Sequence, residues 1–340
     1  MQKVTLIPIA GLTLLLLATT GLACSSDKAL KESGQLVVYA AREEALVGPI
    51  VDQFSEATGI KVQVKYGGTA QIVATLLEEG KNSPADIFWT RDPGGLGALS
   101  SMLDPLPQDI LTLVPTWARA NNENWVGISA RIRAVAYNTE RVSPEDLPDL
   151  IWGFTDPLWE GRIGWSPTSG PTQTMITAMR IMWGDEKTRQ WLRAIQTNKS
   201  AIYGNHTAVV AAVGTGEVDI GLVNHYYAHR FRQEHGKDFP VRNYYFKEGG
   251  PGNLAMISGA SVLSTAKNRE NAEAFLRFML SEAAQRYFTS QTFEYPVVEG
   301  IATNRVLTPL SEINRPETSM DDLGDLRGTL AMLRDLGILP

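Results

Sequence analysis

From Gln35 onward, short β-rich runs and helical periods take turns along the chain. QLVVYAA (35–41) is a dense apolar run of strand type. Val47, Ile50, Val51 and Phe54 then recur at i, i+3, i+4 and i+7, the spacing that gathers apolar side chains on one face of a helix. Thr58-Gly59 stops that helix, and Ile60, Val62, Val64 and Tyr66 alternate as a strand. Gly67-Gly68-Thr69 turn the chain into a second helix from Gln71 to Glu79, and PADIFWT reads as a third strand. After a hairpin-like pair around NWVGISARIRAVAYN the same order resumes, with a strand at 162–166, helices from Pro171 and from Glu186 to Thr197, a strand at 200–203, a helix from His206 and a strand at 219–223. NLAMISGASVL is again strand-like. Asn271 to Phe288 carries Ala272, Phe275, Leu276 and Met279 on one helical face, and a helix from Leu323 to Leu336 closes the chain. Strands spaced by helices predict an α/β fold of right-handed βαβ units, with mixed, mostly parallel sheets flanked by helices on both faces.

Length divides this pattern into two lobes. The 340 residues exceed one ordinary domain, and 44% apolar residues suffice for two cores. We assign 35–131 with 257–295 to the first lobe and 132–256 with 296–340 to the second, hinged by strands that cross near Arg131 and Met256. The formal charge of -6 and the lack of a Lys/Arg cluster exclude a nucleic-acid surface, which needs a basic stripe against phosphates. Ahead of the first strand, Lys3 and the apolar run Leu6 to Ala18 read as a secretory signal, short for a membrane span. That run ends in TGLACSS, where Cys24, the chain's single cysteine, stands as in a bacterial lipobox, although Gly21 occupies a position that usually holds Leu. The expectation is a signal peptide at 1–23, lipidation of Cys24 and a polar tether at 24–34. A monomer working outside the cytoplasmic membrane, without ATP or nicotinamide cofactors, is suited to solute capture; extracytoplasmic hydrolysis is the competitor.

In open α/β sheets, ligands sit beyond the carboxyl ends of strands, where helix N-termini present free N–H groups. Four such junctions are rich in small polar groups: Tyr66 to Thr69, Ser166 to Pro171 (which includes Thr168), Tyr203 to Thr207 and Asn224 to Tyr227. Pro171 suits a first helical position, with Ser169 or Gly170 as cap, and this makes an anion cup or an ordinary helix start. Asn205 carries the same two readings. With Asn224 as N-cap, Tyr226 and Tyr227 both fall in a first helical turn and can lean toward one point, whereas in a strand they would face opposite ways. A phenol that ordinarily ionises near pH 10 ligates at neutral pH only an acidic cation, and Fe³⁺ is the best suited. Packing is the other reading, since Tyr244-Tyr245 is an equally adjacent pair inside a strand-like run. His225 and His229, at i and i+4, have the spacing of a zinc-hydrolase helix, but Tyr226 stands where the glutamate base belongs; we read both as surface histidines. Without a nucleophile elbow, Walker loop or Cys/His pair, nothing in the sequence supports an enzyme.

Residues 35 to about 330 resemble the periplasmic ferric-ion-binding proteins of bacterial iron ABC transporters, a transferrin-like bilobal family. The likeness runs in order through LVVYAAREEA, FSEATGIKVQV, SPADIFW, NWVGISAR, RIGWSPTSG, GEVDIGLVNHYYAHRF, SGASVL and EYPV. It implies that Tyr226 and Tyr227 are paired phenolate ligands of Fe³⁺, delivered to an ABC permease in the cytoplasmic membrane. It also implies that Ser169, Gly170, Asn205 and Asn224 cradle a synergistic anion, carbonate or phosphate, with Arg131 at the anion side. The departures lie in the opposite wall, where many members have a histidine after the first strand and an acidic residue after the third. Here Glu43 and Arg91 hold those positions. Glu43 is a hard oxygen donor that can replace the histidine, and Asp92 offers a carboxylate beside Arg91. Arg42, Arg91 and Arg131 together also suit an organic phosphate, which is the alternative ligand.

Overall fold

The computed structural model describes residues 34–318 and 320–340; the signal, Cys24 and all but Gly34 of the tether lie outside them. The first part of the chain forms β1 (Gln35–Ala41), α1 (Glu44–Thr58), β2 (Lys61–Tyr66), α2 (Thr69–Glu79), β3 (Ile87–Thr90), α3 (Pro93–Ala98) and α4 (Gln108–Leu111). The middle forms β4 (Val126–Asn138), β5 (Ile163–Trp165), α5 (Gly170–Trp183), α6 (Asp185–Thr197), β6 (Ala201–Ile202), α7 (His206–Thr215), β7 (Ile220–Asn224), α8 (Tyr226–His235) and β8 (Val241–Tyr244). It ends in β9 (Ala255–Val262), α9 (Arg269–Met279), α10 (Glu282–Gln291) and α11 (Leu326–Asp335). The periodic face of α1 is the buried one, Val47, Ile50, Val51 and Phe54, and Gly59 ends it with φ 73°, a left-handed turn that glycine adopts without a Cβ clash.

Strand order is β2-β1-β3-β9-β4-β7-β5-β6, with β8 also on β4. Pairs β1/β2, β1/β3, β5/β6 and β5/β7 are parallel, whereas β9 and β4 run antiparallel to their neighbours. The expected hairpin around NWVGISARIRAVAYN is instead one buried strand of 13 residues. It has no turn residue at its centre, and a register shift between Gly127 and Ser129 is its only break in pairing with β9. A Cβ on Gly127 would come within 2.8 Å of the Ala118 carbonyl, so only glycine lets the two backbones approach.

β4 joins two halves of the molecule. Val126 to Ile132 pair with β9, and Arg133 to Tyr137 pair with β7, so the chain changes neighbours between Ile132 and Arg133. One apolar cluster gathers around β1, β3, β9, α9 and α10, and two more around β5, β7, α5 to α7 and β8. Residues 296–340 are shared: Leu307, Ile313, Met320 and Leu323 enter the first cluster, and Met332, Leu333 and Ile338 the second. The helical pattern from Asn271 to Phe288 is broken into α9 and α10 because Ser281 turns extended and its hydroxyl caps Ala284 N–H. The last helix begins at Leu326 rather than Leu323, where Asp325 accepts from Gly328 N–H. Among the described residues, no helix is long and apolar enough to cross a membrane.

Candidate functional site

All four polar junctions open into one cavity of about 850 Å³, joined by a fifth after β3. Its wall includes Gly68 and Thr69, Thr168 to Pro171, Gly204 to Thr207, Tyr226 and Tyr227, and from the β1 and β3 ends Glu43, Arg91 and Asp92. Three expected site residues are elsewhere. Arg42 is buried, donating to Ser258 Oγ at 2.5 Å and paired with Glu294 at 2.7 Å. Arg131 is likewise buried, close enough to Glu294 to help hold its carboxylate charged, and does not reach the cavity. Asn224 is fully buried; its Oδ1 accepts from Arg133 Nη1 at 2.9 Å instead of capping α8. His225 holds the cap position with helical φ and makes no side-chain cap. The expectation that both tyrosines share a first helical turn nevertheless agrees with the structure, since α8 starts at Tyr226.

The two phenol rings lie 4.4 Å apart between centres and tilted by 35°. Burial, then the charge and hydrogen bond of Tyr226, then Glu43, hold the Tyr227 phenol well above its ordinary range, against the pull of Arg230. Such a phenol keeps its proton until a cation strong enough to displace it arrives. Arg133 lies behind the pair, with Nη1 on Asn224 and 3.4 Å from His206 Nε2; burial brings its guanidinium down to about 9 against the opposing effect of Tyr226 and Tyr227. Among the described residues, Arg133 Nε and Nη2 are buried without hydrogen-bond partners. Sequence reading missed Arg133, because Arg131 and Arg133 alternate onto one strand face and only the register says which reaches the tyrosines.

The opposite wall is more acidic than basic. Arg91 donates Nε to the Ala41 carbonyl at 2.9 Å and lies 3.6 Å from Glu43, so its charge is already paired. Asp92 accepts from Thr69 Oγ1 at 2.8 Å and from Gly95 N–H at 3.2 Å. Its Oδ2 would stand 3.6 Å from a Cβ on Gly170, which places a carboxylate from the β3 end against the start of α5. Asn205 caps α7, accepting from Ala208 N–H at 2.9 Å, while Ser169 heads α5 without a side-chain cap bond.

Of the two histidines, His225 is not at the surface and His229 is half-buried. His225 is fully buried, its Nδ1 accepting from Ile132 N–H at 3.2 Å and its Nε2 donating to the Phe293 carbonyl at 2.7 Å. Burial first, then His229, brings its pKa down to about 3, while burial, Arg232 and Arg242 bring His229 down to about 4. His229 Nε2 is 3.1 Å from Asn243 Nδ2. Both ring nitrogens of His225 are thus committed to backbone, and the pair is structural rather than a zinc site. Among the described residues, no three His, Cys, Asp or Glu side chains group as a metal-ligand set.

Two α/β halves, joined through crossing strands and facing each other across a cleft lined by helix starts, define the two-lobed periplasmic-binding-protein fold. Residues 39–286 match the bacterial extracellular solute-binding protein family. The chain is 32% identical to the Fe(3+)-binding periplasmic protein of Serratia marcescens, over 97% of this chain and 98% of that one. Iron-bound HitA from Pseudomonas aeruginosa matches with a TM-score of 0.85 at 35% identity, covering 89% of this chain and 99% of that one. The Trichodesmium protein IdiA (FutA), solved with iron and citrate, matches at 0.79 and 28% identity, with coverage of 89% and 99%. The chain belongs to the bacterial extracellular solute-binding proteins and, within them, to the periplasmic ferric-ion-binding group.

Proposed function

We propose that this protein captures Fe³⁺ in the cleft and delivers it to an ABC permease. Tyr226 and Tyr227 supply phenolates and Glu43 a carboxylate. A carbonate or phosphate held by Ser169, Gly170 and Asn205 completes the coordination. Lipid anchoring through Cys24 and a monomeric state belong to the same proposal. The observation that carries it is the donor set of the cavity: Arg42 and Arg131 are withdrawn, so among the described lining residues Arg91, held by Glu43, is the single arginine, against two phenols and the carboxylates of Glu43 and Asp92, and no guanidinium cluster is left for an organic phosphate. Hard oxygen donors of this kind suit a hard, acidic cation.

Thermal unfolding separates the two ligands, because a ligand stabilises the folded state by its concentration relative to its dissociation constant. Ferric citrate at about 100 times the dissociation constant is expected to add roughly 2.7 kcal/mol, which for a chain of this size raises Tm by several degrees. A hexose phosphate at the same concentration is expected to leave Tm unchanged. A shift with the phosphate and none with ferric iron would reverse the assignment.

A further inference from the structure

We propose that Arg230 is a positioning residue that holds the two phenol rings together and sets how strongly they donate to bound Fe³⁺. This rests on the ferric reading of the cleft. Arg230 follows Tyr226 by four residues and Tyr227 by three on α8, so it shares their face of the helix. Its guanidinium carbon lies 4.4 Å from the centre of the Tyr226 ring and 5.8 Å from that of Tyr227. Nη2 donates to the Thr292 carbonyl at 3.3 Å, at the end of α10, which packs in the first apolar cluster. The guanidinium is therefore stretched between the tyrosine helix and the half of the molecule that carries Glu43. Its Nε is buried with no hydrogen-bond partner among the described residues.

A cation over an aromatic face is attracted by the ring's electrons, and more strongly when the ring is a phenolate. When the two phenols lose their protons to a bound ferric ion, Arg230 lies on the ring side and the metal on the oxygen side. The nearby positive charge lowers the energy of the phenolate electrons and favours the ionised pair.

The test uses the full chain with one equivalent of ferric ion, as wild type and as the variants Arg230→Gln, Arg230→Met and Arg230→Lys. Two quantities are read: the position of the visible phenolate-to-iron band, and the rate at which excess chelator removes the iron. The Gln and Met variants are expected to move the band to longer wavelength and lose iron about two- to fivefold faster, the ratio that a cation over an aromatic face implies. Lys, which retains the charge, is expected to restore part of both. A residue that only packs would change the melting temperature and neither of these. A wild-type band that stays in place, with an unchanged chelator rate, in whichever of the Gln and Met variants folds would overturn the role of Arg230 alone. A wild-type protein with no band would overturn the ferric reading along with it.

Discussion

Replacing Tyr226 by Phe is expected to remove ferric binding while leaving the apo protein folded. The ring keeps its place against Tyr227 and Arg230, and among the described residues the hydroxyl's hydrogen-bond contact beyond its neighbouring phenol is Asn224 Nδ2 at 3.5 Å, at the limit of a hydrogen bond. Apo stability should therefore change by no more than about 1 kcal/mol, as for substitutions that leave no cavity or unpaired charge. Affinity is another matter, because on the proposed ligand set the variant gives up one of the two phenolate oxygens that, with Glu43 and the anion, neutralise a trivalent cation. Outer partners of metal ligands already account for about 10–100-fold in affinity, so loss of the ligand itself should exceed about 100-fold. Equilibrium competition against citrate, with denaturant melts of the apo protein, measures both. Retention of wild-type affinity would remove Tyr226 from the ligand set.

The second large effect is expected at Glu294, far from the tyrosines in sequence. Its carboxylate pairs with Arg42 at 2.7 Å, accepts from Ser129 Oγ and lies near Arg131, with Arg42 and Glu294 both almost wholly buried. Burial alone would raise its pKa, but Arg42, Arg131 and Ser129 outweigh that and hold it at about 2. Glu294→Gln leaves two buried guanidinium groups without their counter-charge, a change that destabilises by roughly 3–5 kcal/mol. Because the folded pKa lies below the unfolded value, the pair's contribution is full above about pH 4.5 and is lost as pH falls toward 2. The wild type should therefore lose about 3 kcal/mol across that window through this group, and the variant should not. Denaturant unfolding at pH 6 and pH 3 captures about 2 kcal/mol of that loss; equal acid losses in both proteins would contradict it. The consequence reaches the cleft, since Arg42 precedes Glu43 directly and ties the end of β1 to Ser258 of β9.

What was legible in the sequence is what depends on near neighbours. Glycine, proline and capping residues after strands announced the helix starts, and those starts are where the cavity lies. Tyr226 and Tyr227 fell into one helical turn because Asn224 ends a buried strand and α8 follows at once. What was not legible depends on partners distant in the chain. Choosing between Arg131 and Arg133 required the point where β4 exchanges β9 for β7. His225 looked polar and exposed, but the Phe293 carbonyl that accepts from it lies 68 residues away. The removal of Arg42 from the cleft depends on Glu294, 252 residues on. Only Arg230 had a local signal that went unused: its spacing of four and three from the paired tyrosines.

The most direct measurement is a visible spectrum of the full chain during titration with ferric ion in carbonate or phosphate buffer. The account predicts a phenolate-to-iron band that grows linearly and stops at one equivalent, is absent in Tyr226→Phe, and is bleached by excess chelator. A colourless protein at one equivalent, with the iron recovered unbound, would contradict it.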